Sequence, residues 1–205
     1  MTIRRQAIRL GNERLFEEAT ALIEGKRLGL ITNQSGVDTG LRLTADRLHQ
    51  WPGCDLVALF SPEHGIRGDH QDGVEVVSST TDPRTGVTVR SLYGHIRQPD
   101  ADTLTQLDAL LFDIQDVGVR FYTYLYTMSL AMEACAHHGV PFIVLDRPNP
   151  LGGVVLEGNV LDPAYASFVG KYPIPVRYAL TIGELAQLIN REFSIGAQLH
   201  VVQMD

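Results

Sequence analysis

Five short apolar runs recur along the chain, and stretches with helical periodicity separate most of them. The runs are residues 26–32 (KRLGLIT), 55–60 (DLVALF), 108–114 (DALLFDI), 141–145 (PFIVL) and 197–203 (AQLHVVQ). The middle three hardly alternate between apolar and polar residues, as expected of strands covered on both faces. Leu15, Phe16, Ala19, Leu22 and Ile23 predict a helix over 13–24, which Gly25 stops. Helices are also predicted over 43–50, over 122–138 through Leu125, Met128, Ala131, Met132 and Cys135, and over 182–193. Thr181 and Glu184 form a capping box that opens the last of these. Strands joined by helices of this length require right-handed crossovers, so the pattern predicts an α/β fold with a largely parallel sheet and helices on both faces. Two stretches depart from it. Residues 73–93, with turn signals at Asp82-Pro83 and Thr85-Gly86, predict a small β-hairpin excursion, and residues 147–177, rich in Gly and Pro, predict a long ordered loop.

Composition narrows the function classes. With 205 residues, 44% of them hydrophobic, the chain suits one large domain with a sizeable core. Seventeen basic against 24 acidic residues give a net charge of −7, and no basic run occurs, which argues against a nucleic-acid binder. No apolar stretch approaches the roughly 18 residues of a membrane span. The first residues, MTIRRQAIRLGNERLF, show no apolar segment of the signal-peptide kind. Cys54 and Cys135 read as buried small hydrophobes and not as a disulfide framework.

In open parallel sheets the ligand lies beyond the carboxyl ends of the strands. Four of the five runs end in polar clusters there: Asn33-Gln34-Ser35, then Ser61-Pro62-Glu63-His64-Gly65-Ile66-Arg67-Gly68, then Asp113 through Arg120, then Asp146-Arg147-Pro148-Asn149. The topology is expected to bring Asn33, Glu63, Asp113 and Asp146 to one edge. No dinucleotide fingerprint, phosphate-binding loop or GxSxG elbow is present. The inventory is carboxylates, amides, arginines and tyrosines, which suits a polyhydroxylated ligand. Carboxylates and amides bond sugar hydroxyls, aromatic rings cover sugar faces, and a guanidinium grips a carboxylate bidentately. Glycoside hydrolysis needs a protonated carboxyl at the leaving oxygen and a second group at the anomeric carbon.

Each candidate also has a structural reading. Glu63 can cap the following segment, Asp113 and Asp116 can fix their turn, and Asp146 can pair with Arg147 or Arg120. Tyr122, Tyr124 and Tyr126 alternate, so at least one of them is expected to be filler. The spacing of His64, Asp69, His70 and Asp72 matches no defined zinc signature, so neither metal nor cofactor is expected.

In this order, the segments FSPEHGIRG, SLYG, FDIQDVGVRFYTY, LDRPNPLGG, EGNVLD, SFVG and TIGELA resemble the exo-β-N-acetylmuramidase family of bacterial glycosidases. The resemblance runs from about residue 26 to 205. It implies a hydrolase that removes N-acetylmuramic acid from the non-reducing end of peptidoglycan fragments, in a cleft between a Rossmann-like N-terminal domain and a smaller C-terminal one. Residues 1–205 are then expected to be the N-terminal domain, with the C-terminal domain as its partner. The stop just after the last predicted strand, with no closing helix, agrees with that expectation.

The resemblance implies Glu63 as the catalytic carboxyl, with Asp113 or Asp116 as nucleophile, base or orienting group. Asn33, His64, Arg67, Gln115, Arg120, Tyr122, Asp146, Arg147 and Asn149 are expected to bind substrate. An arginine among Arg67, Arg120, Arg147 and Arg177 is expected to hold the sugar's lactyl carboxylate. Ahead of TIGELA the resemblance implies Arg-His-Gly, where this chain has Arg177-Tyr178-Ala179. A cytoplasmic role in recycling wall fragments is expected from the N-terminal residues. The alternative is a non-catalytic sugar-binding or regulatory module of the same descent.

Overall fold

The computed structural model describes residues 8–62, 65–68 and 79–205. Among them are seven strands, β1 (Lys26–Thr32), β2 (Cys54–Ser61), β3 (Ser79–Thr81), β4 (Thr88–Ser91), β5 (Ala109–Asp113), β6 (Phe142–Leu145) and β7 (Leu199–Val202). They form one sheet in the order β3-β4-β2-β1-β5-β6-β7, and every neighbouring pair except β3–β4 is parallel. From β1 the chain moves outward through β2 to β4, then returns past β1 to continue through β5, β6 and β7. The reversal falls between β1 and β5, the place where open sheets of this kind bind their ligands.

The helices are α1 (Gly11–Glu17), α2 (Thr44–Gln50), α3 (Ala101–Leu104), α4 (Tyr124–His138) and α5 (Ile182–Glu192). The strands are apolar on both faces because both faces are covered. Ile31, Phe60, Leu110, Phe112 and Val144 pack with Leu125, Met128 and Met132 of α4 and with Leu185 and Ile189 of α5. The alternate positions Leu30, Leu59, Leu111, Ile143 and Leu145 pack with Leu15, Phe16, Ala45 and Leu48 of α1 and α2. Each such side chain contributes about 1.5–3 kcal/mol of burial, and the period-2 alternation is divided between two cores. Cys135 is buried in the first core, where desolvation pushes its thiol up to about 12. Cys54, expected to be buried, is only partly so, and desolvation still raises its thiol to about 11.

Two sequence expectations are corrected in detail, and one helix was not foreseen. The helix expected over 13–24 stops at Glu17 and continues as a 3₁₀ turn at Thr20–Leu22, although Leu15, Phe16 and Ile23 are all buried. The tighter turn lets Gly25, at φ 70°, bond Gly53 O and redirect the chain into β1. The hairpin expected over 73–93 is present as antiparallel β3 and β4, but β4 also pairs in parallel with β2, so the hairpin extends the main sheet. Its residues 73–78 lie outside the described ones. α3 was not foreseen, because four residues are too few to show a period. It starts on Asp100, whose side chain accepts from the Thr103 amide at 2.9 Å. Among the described residues no helix is long and apolar enough to cross a membrane.

Candidate active site

β1 and β5 end side by side, with Thr32 opposite Asp113 in register. The Thr32 hydroxyl donates to Asp113 O at 2.9 Å, and Gly36 passes so close that a Cβ there would lie 2.2 Å from Thr32 Oγ1 and 2.7 Å from Asp113 O. Asn33, 1% exposed, folds its loop by accepting from the Ser35 amide at 2.9 Å and the Ser35 hydroxyl at 2.5 Å. Ser35 Oγ in turn accepts from the Gln115 amide at 3.0 Å. The Gln115 side-chain amide donates to Asp116 O at 2.7 Å and Pro148 O at 2.8 Å. Asn33, Asp113 and Asp146 therefore close neighbouring strands at one edge, and their loops are bonded to one another. Glu63 and His64, which follow β2 in the sequence, lie outside the described residues. So do Asp69, His70 and Asp72.

The two carboxylates of the β5 loop differ sharply. Asp113 is fully buried, and Arg147 grips it with Nε to Oδ1 at 2.6 Å and Nη2 to Oδ2 at 3.0 Å. Thr44 Oγ1 and Asn12 Nδ2 also donate to Oδ2, at 2.6 and 3.3 Å. Arg147 is itself 3% exposed and reaches Val37 O at 2.9 Å. This cluster ties β5, β6, α1, α2 and the β1 loop together.

Asp116 Oδ2 accepts from the Gly118 amide at 2.8 Å and from the Tyr178 hydroxyl, while its buried Oδ1 has no hydrogen-bond partner among the described residues. Burial pushes the Asp116 carboxyl up to about 6, against the pull of the Gly118 and Val117 amides. With a raised pKa and one oxygen that has no hydrogen-bond partner among the described residues, Asp116 is less committed to the fold than Asp113.

Asp146 caps α5. It accepts from the Gly183 amide at 2.8 Å, the Thr181 hydroxyl at 3.0 Å and the Arg147 amide at 3.0 Å. Burial raises its carboxyl above the ordinary aspartate range. Its contact with Arg147 is thus through the backbone, and the guanidinium is committed to Asp113. Asn149 accepts from the Leu151 amide at 2.9 Å and donates to Leu180 O at 2.8 Å.

The other arginines are also engaged. Arg67 bonds Asp82 at 2.6 and 2.7 Å and Asp46 at 2.9 Å. Arg120 donates to Asn159 O and Ile174 O at 2.7 and 2.6 Å, and Arg177 donates to Glu157 at 2.6 Å and to Leu151 O. Tyr124 and Tyr126 are core residues, while the half-buried Tyr122 meets Tyr124 edge-on at 4.8 Å. Beside the end of β2 lies a cavity of about 200 Å³, lined by Ser61, Gly65, Arg67, Asp82 and Ser91 among others.

Asn12 and Thr44 gave no signal in the sequence, each being one polar residue among several on the short helices α1 and α2. Tyr178 was visible only as a departure from the expected His. The expected Gly beside it is Ala179, which adopts φ 54°, a region that favours glycine.

The fold and this edge define an α/β protein with a Rossmann-type strand order and a polar, carboxylate-bearing site at its switch point. Residues 28–205 match the family described as exo-beta-N-acetylmuramidase NamZ, N-terminal, and the chain belongs to that family. It is 54% identical over 203 residues to peptidoglycan beta-N-acetylmuramidase NamZ of Bacillus subtilis strain 168, covering 99% of this chain and 49% of that one. Two crystal structures of DUF1343 family proteins from Bacteroides fragilis NCTC 9343 superpose on it. One has a TM-score of 0.89 at 49% identity, the other 0.83 at 36%, covering 97% and 98% of this chain and 50% and 52% of theirs. The chain spans about half the length of these relatives.

Proposed function

We propose that the chain carries the catalytic residues of a glycoside hydrolase that releases N-acetylmuramic acid from the non-reducing end of peptidoglycan fragments. The observation that carries this reading is Asp116. It is a buried carboxyl with a raised pKa and one oxygen without a hydrogen-bond partner among the described residues, set at the switch point of a family member whose Bacillus subtilis relative is a peptidoglycan β-N-acetylmuramidase. Glu63 is the general acid in this reading. It gives its proton to the glycosidic oxygen as the bond to the anomeric carbon breaks, and that bond's electron pair stays with the leaving oxygen. Water then adds at the anomeric carbon and loses a proton.

Asp116 is the second carboxyl, acting at the anomeric centre or on the sugar's acetamido group. Asp113 serves as the post that holds Arg147 and the strand ends, because a ligand would have to displace a guanidinium and a hydroxyl to reach it. The family's second half completes the cleft as a partner domain.

The test is hydrolysis of a chromogenic β-N-acetylmuraminide and of natural wall fragments by the chain continued with such a second half. Glu63→Gln is expected to lower turnover on natural fragments by about 10²–10⁴-fold with binding kept, and by less on the activated aryl substrate. Natural fragments cleaved at the normal rate by Glu63→Gln would return Glu63 to a capping role. Saccharide binding without any cleavage by the unsubstituted protein would assign the chain to the non-catalytic alternative.

A further inference from the structure

The four arginines from which a carboxylate-binding group was expected are all committed within the fold. Arg147 holds Asp113, Arg67 holds Asp82 and Asp46, Arg120 bonds two carbonyls, and Arg177 bonds Glu157 and Leu151 O. Arg97 differs. It is exposed, lies 4.0 Å over the Phe168 ring, and donates through Nε to Gly94 O at 3.1 Å. Among the described residues no carboxylate pairs with it. A guanidinium stacked on a ring keeps its Nη edge open in its own plane, and that edge is the one that grips a carboxylate.

Arg97 stands on the margin of a groove of about 980 Å³ along α4. Tyr126, Leu130, Ala134 and His138 line it at four-residue steps, so it follows one face of the helix for about 18 Å. α4 begins where the β5 loop ends, at the carboxyl edge of the sheet. At that end of the groove the Tyr126 hydroxyl donates to Arg120 O of the same loop at 2.6 Å. A second cavity, of about 260 Å³, shares Ile96, Gln98, Pro99 and Asp100 with the groove and reaches Phe60 and Ser91, in the last turns of β2 and β4. The groove thus starts at the edge that carries the site and leads away from it.

Its lining suits a saccharide. The floor is apolar, from Leu130, Ala134 and Ile96. The two carboxylates on its margin are engaged, Asp100 by Thr103 at the start of α3 and Glu133 by Lys171. The side chains of Gln98, His95, His137 and His138 make no hydrogen bond among the described residues. An apolar floor takes the C–H faces of sugar rings, such polar groups take hydroxyls and acetamido groups, and the unpaired guanidinium takes a carboxylate. A wall glycan without its peptides has this composition, with one carboxylate on every muramic acid residue.

We propose that this groove holds the leaving-group side of the glycan, with Arg97 gripping the lactyl carboxylate of a muramic acid residue beyond the one released. The proposal deepens the reading above and rests on it for the class of substrate, but its first test needs no cleavage. The 205-residue chain is titrated calorimetrically with two peptide-free tetrasaccharides. One alternates N-acetylmuramic acid and N-acetylglucosamine from a non-reducing muramic acid, and the other is N-acetylglucosamine throughout. The muramic form is expected to bind at least about tenfold tighter, as one charge-assisted contact allows, and to shift the NMR amide signals of residues 95–98 and of α4. Arg97→Ala and Arg97→Glu are expected to abolish that preference, and Arg97→Lys to keep part of it. Equal affinity for the two saccharides overturns the proposal, as does a preference that survives Arg97→Ala, or no binding of either at millimolar saccharide.

The second test uses the chain continued with the second half of the Bacillus subtilis relative. It compares kcat/KM for the muramic tetrasaccharide with that for the disaccharide, which has no carboxylate beyond the released sugar. Arg97→Ala is expected to lower the ratio by about tenfold. An unchanged ratio with normal cleavage overturns the groove and leaves the glycosidase reading standing. Binding through Arg97 with no cleavage of any fragment by the unsubstituted protein upholds the groove and overturns that reading.

Discussion

Asp113 and Asp116 stand three residues apart on one loop, and in the sequence nothing separates them. Their environments do. Arg147, Thr44 and Asn12 reach Asp113 from distant parts of the chain, and only the folded sheet brings them there. Arg147→Ala leaves a buried carboxylate without its counter-charge, and a loss of about 3–5 kcal/mol is expected in urea unfolding. Asp116 makes the opposite kind of test. Its folded pKa, raised by burial from 3.8 to about 6, means the folded state binds the proton more tightly than the unfolded chain. The stability Asp116 lends is therefore present below about pH 4 and lost as pH rises to about 6, a decline on the order of 3 kcal/mol. Asp116→Asn is expected to flatten that part of the stability–pH curve, as equilibrium denaturation between pH 4 and 7 will report. Tyr178→Phe removes a donor to the same carboxylate and should raise its pKa further, readable from the carboxyl carbon shift in NMR titration.

At the scale of elements, the most legible features were local ones. The run 26–32 is β1 to the residue, because its apolar stretch is bounded by Gly25 and by the Asn33-Gln34-Ser35-Gly36 turn. The capping box at Thr181 is present in full, with Glu184 reaching back to the Thr181 amide at 2.9 Å and Thr181 Oγ1 accepting from the Glu184 amide at 3.2 Å. What the sequence could not show is that the same hydroxyl also donates to Asp146, so the cap joins α5 to the end of β6. Thr181→Ala is accordingly expected to cost about 1–2 kcal/mol, at the upper end for a cap, and Thr181→Ser to recover most of it, by chemical denaturation. The parallel pairing of β4 with β2 was illegible for a related reason. A four-residue strand has too little pattern to announce its neighbour, and only the burial of Val89 beneath the α2 side of the sheet makes the pairing necessary.

Across the whole molecule, alternating strand and helix signals were enough for a parallel α/β sheet, since few other connections are sterically open. Strand order was not deducible, because the three mostly apolar runs would fill any central place equally well. Its consequence is concentrated at Gly36, which passes close to the ends of β1 and β5 where the winding reverses. Gly36→Ala is expected to lower stability by about 1–3 kcal/mol through overpacking and to weaken saccharide binding with it, as parallel unfolding and calorimetric titrations will show. The thiols have a different bearing. With their ionisation pushed to about 11 and 12, Cys54 and Cys135 expose on the order of a thousandth or less as thiolate at pH 8. The folded chain should be nearly silent to Ellman's reagent and release two equivalents on denaturation, matching its two cysteines. A single cysteine introduced on the surface, at Val154 for instance, can then carry a fluorophore selectively without removal of either native one. The protein's own chemistry thus leaves its surface free for site-directed reporters.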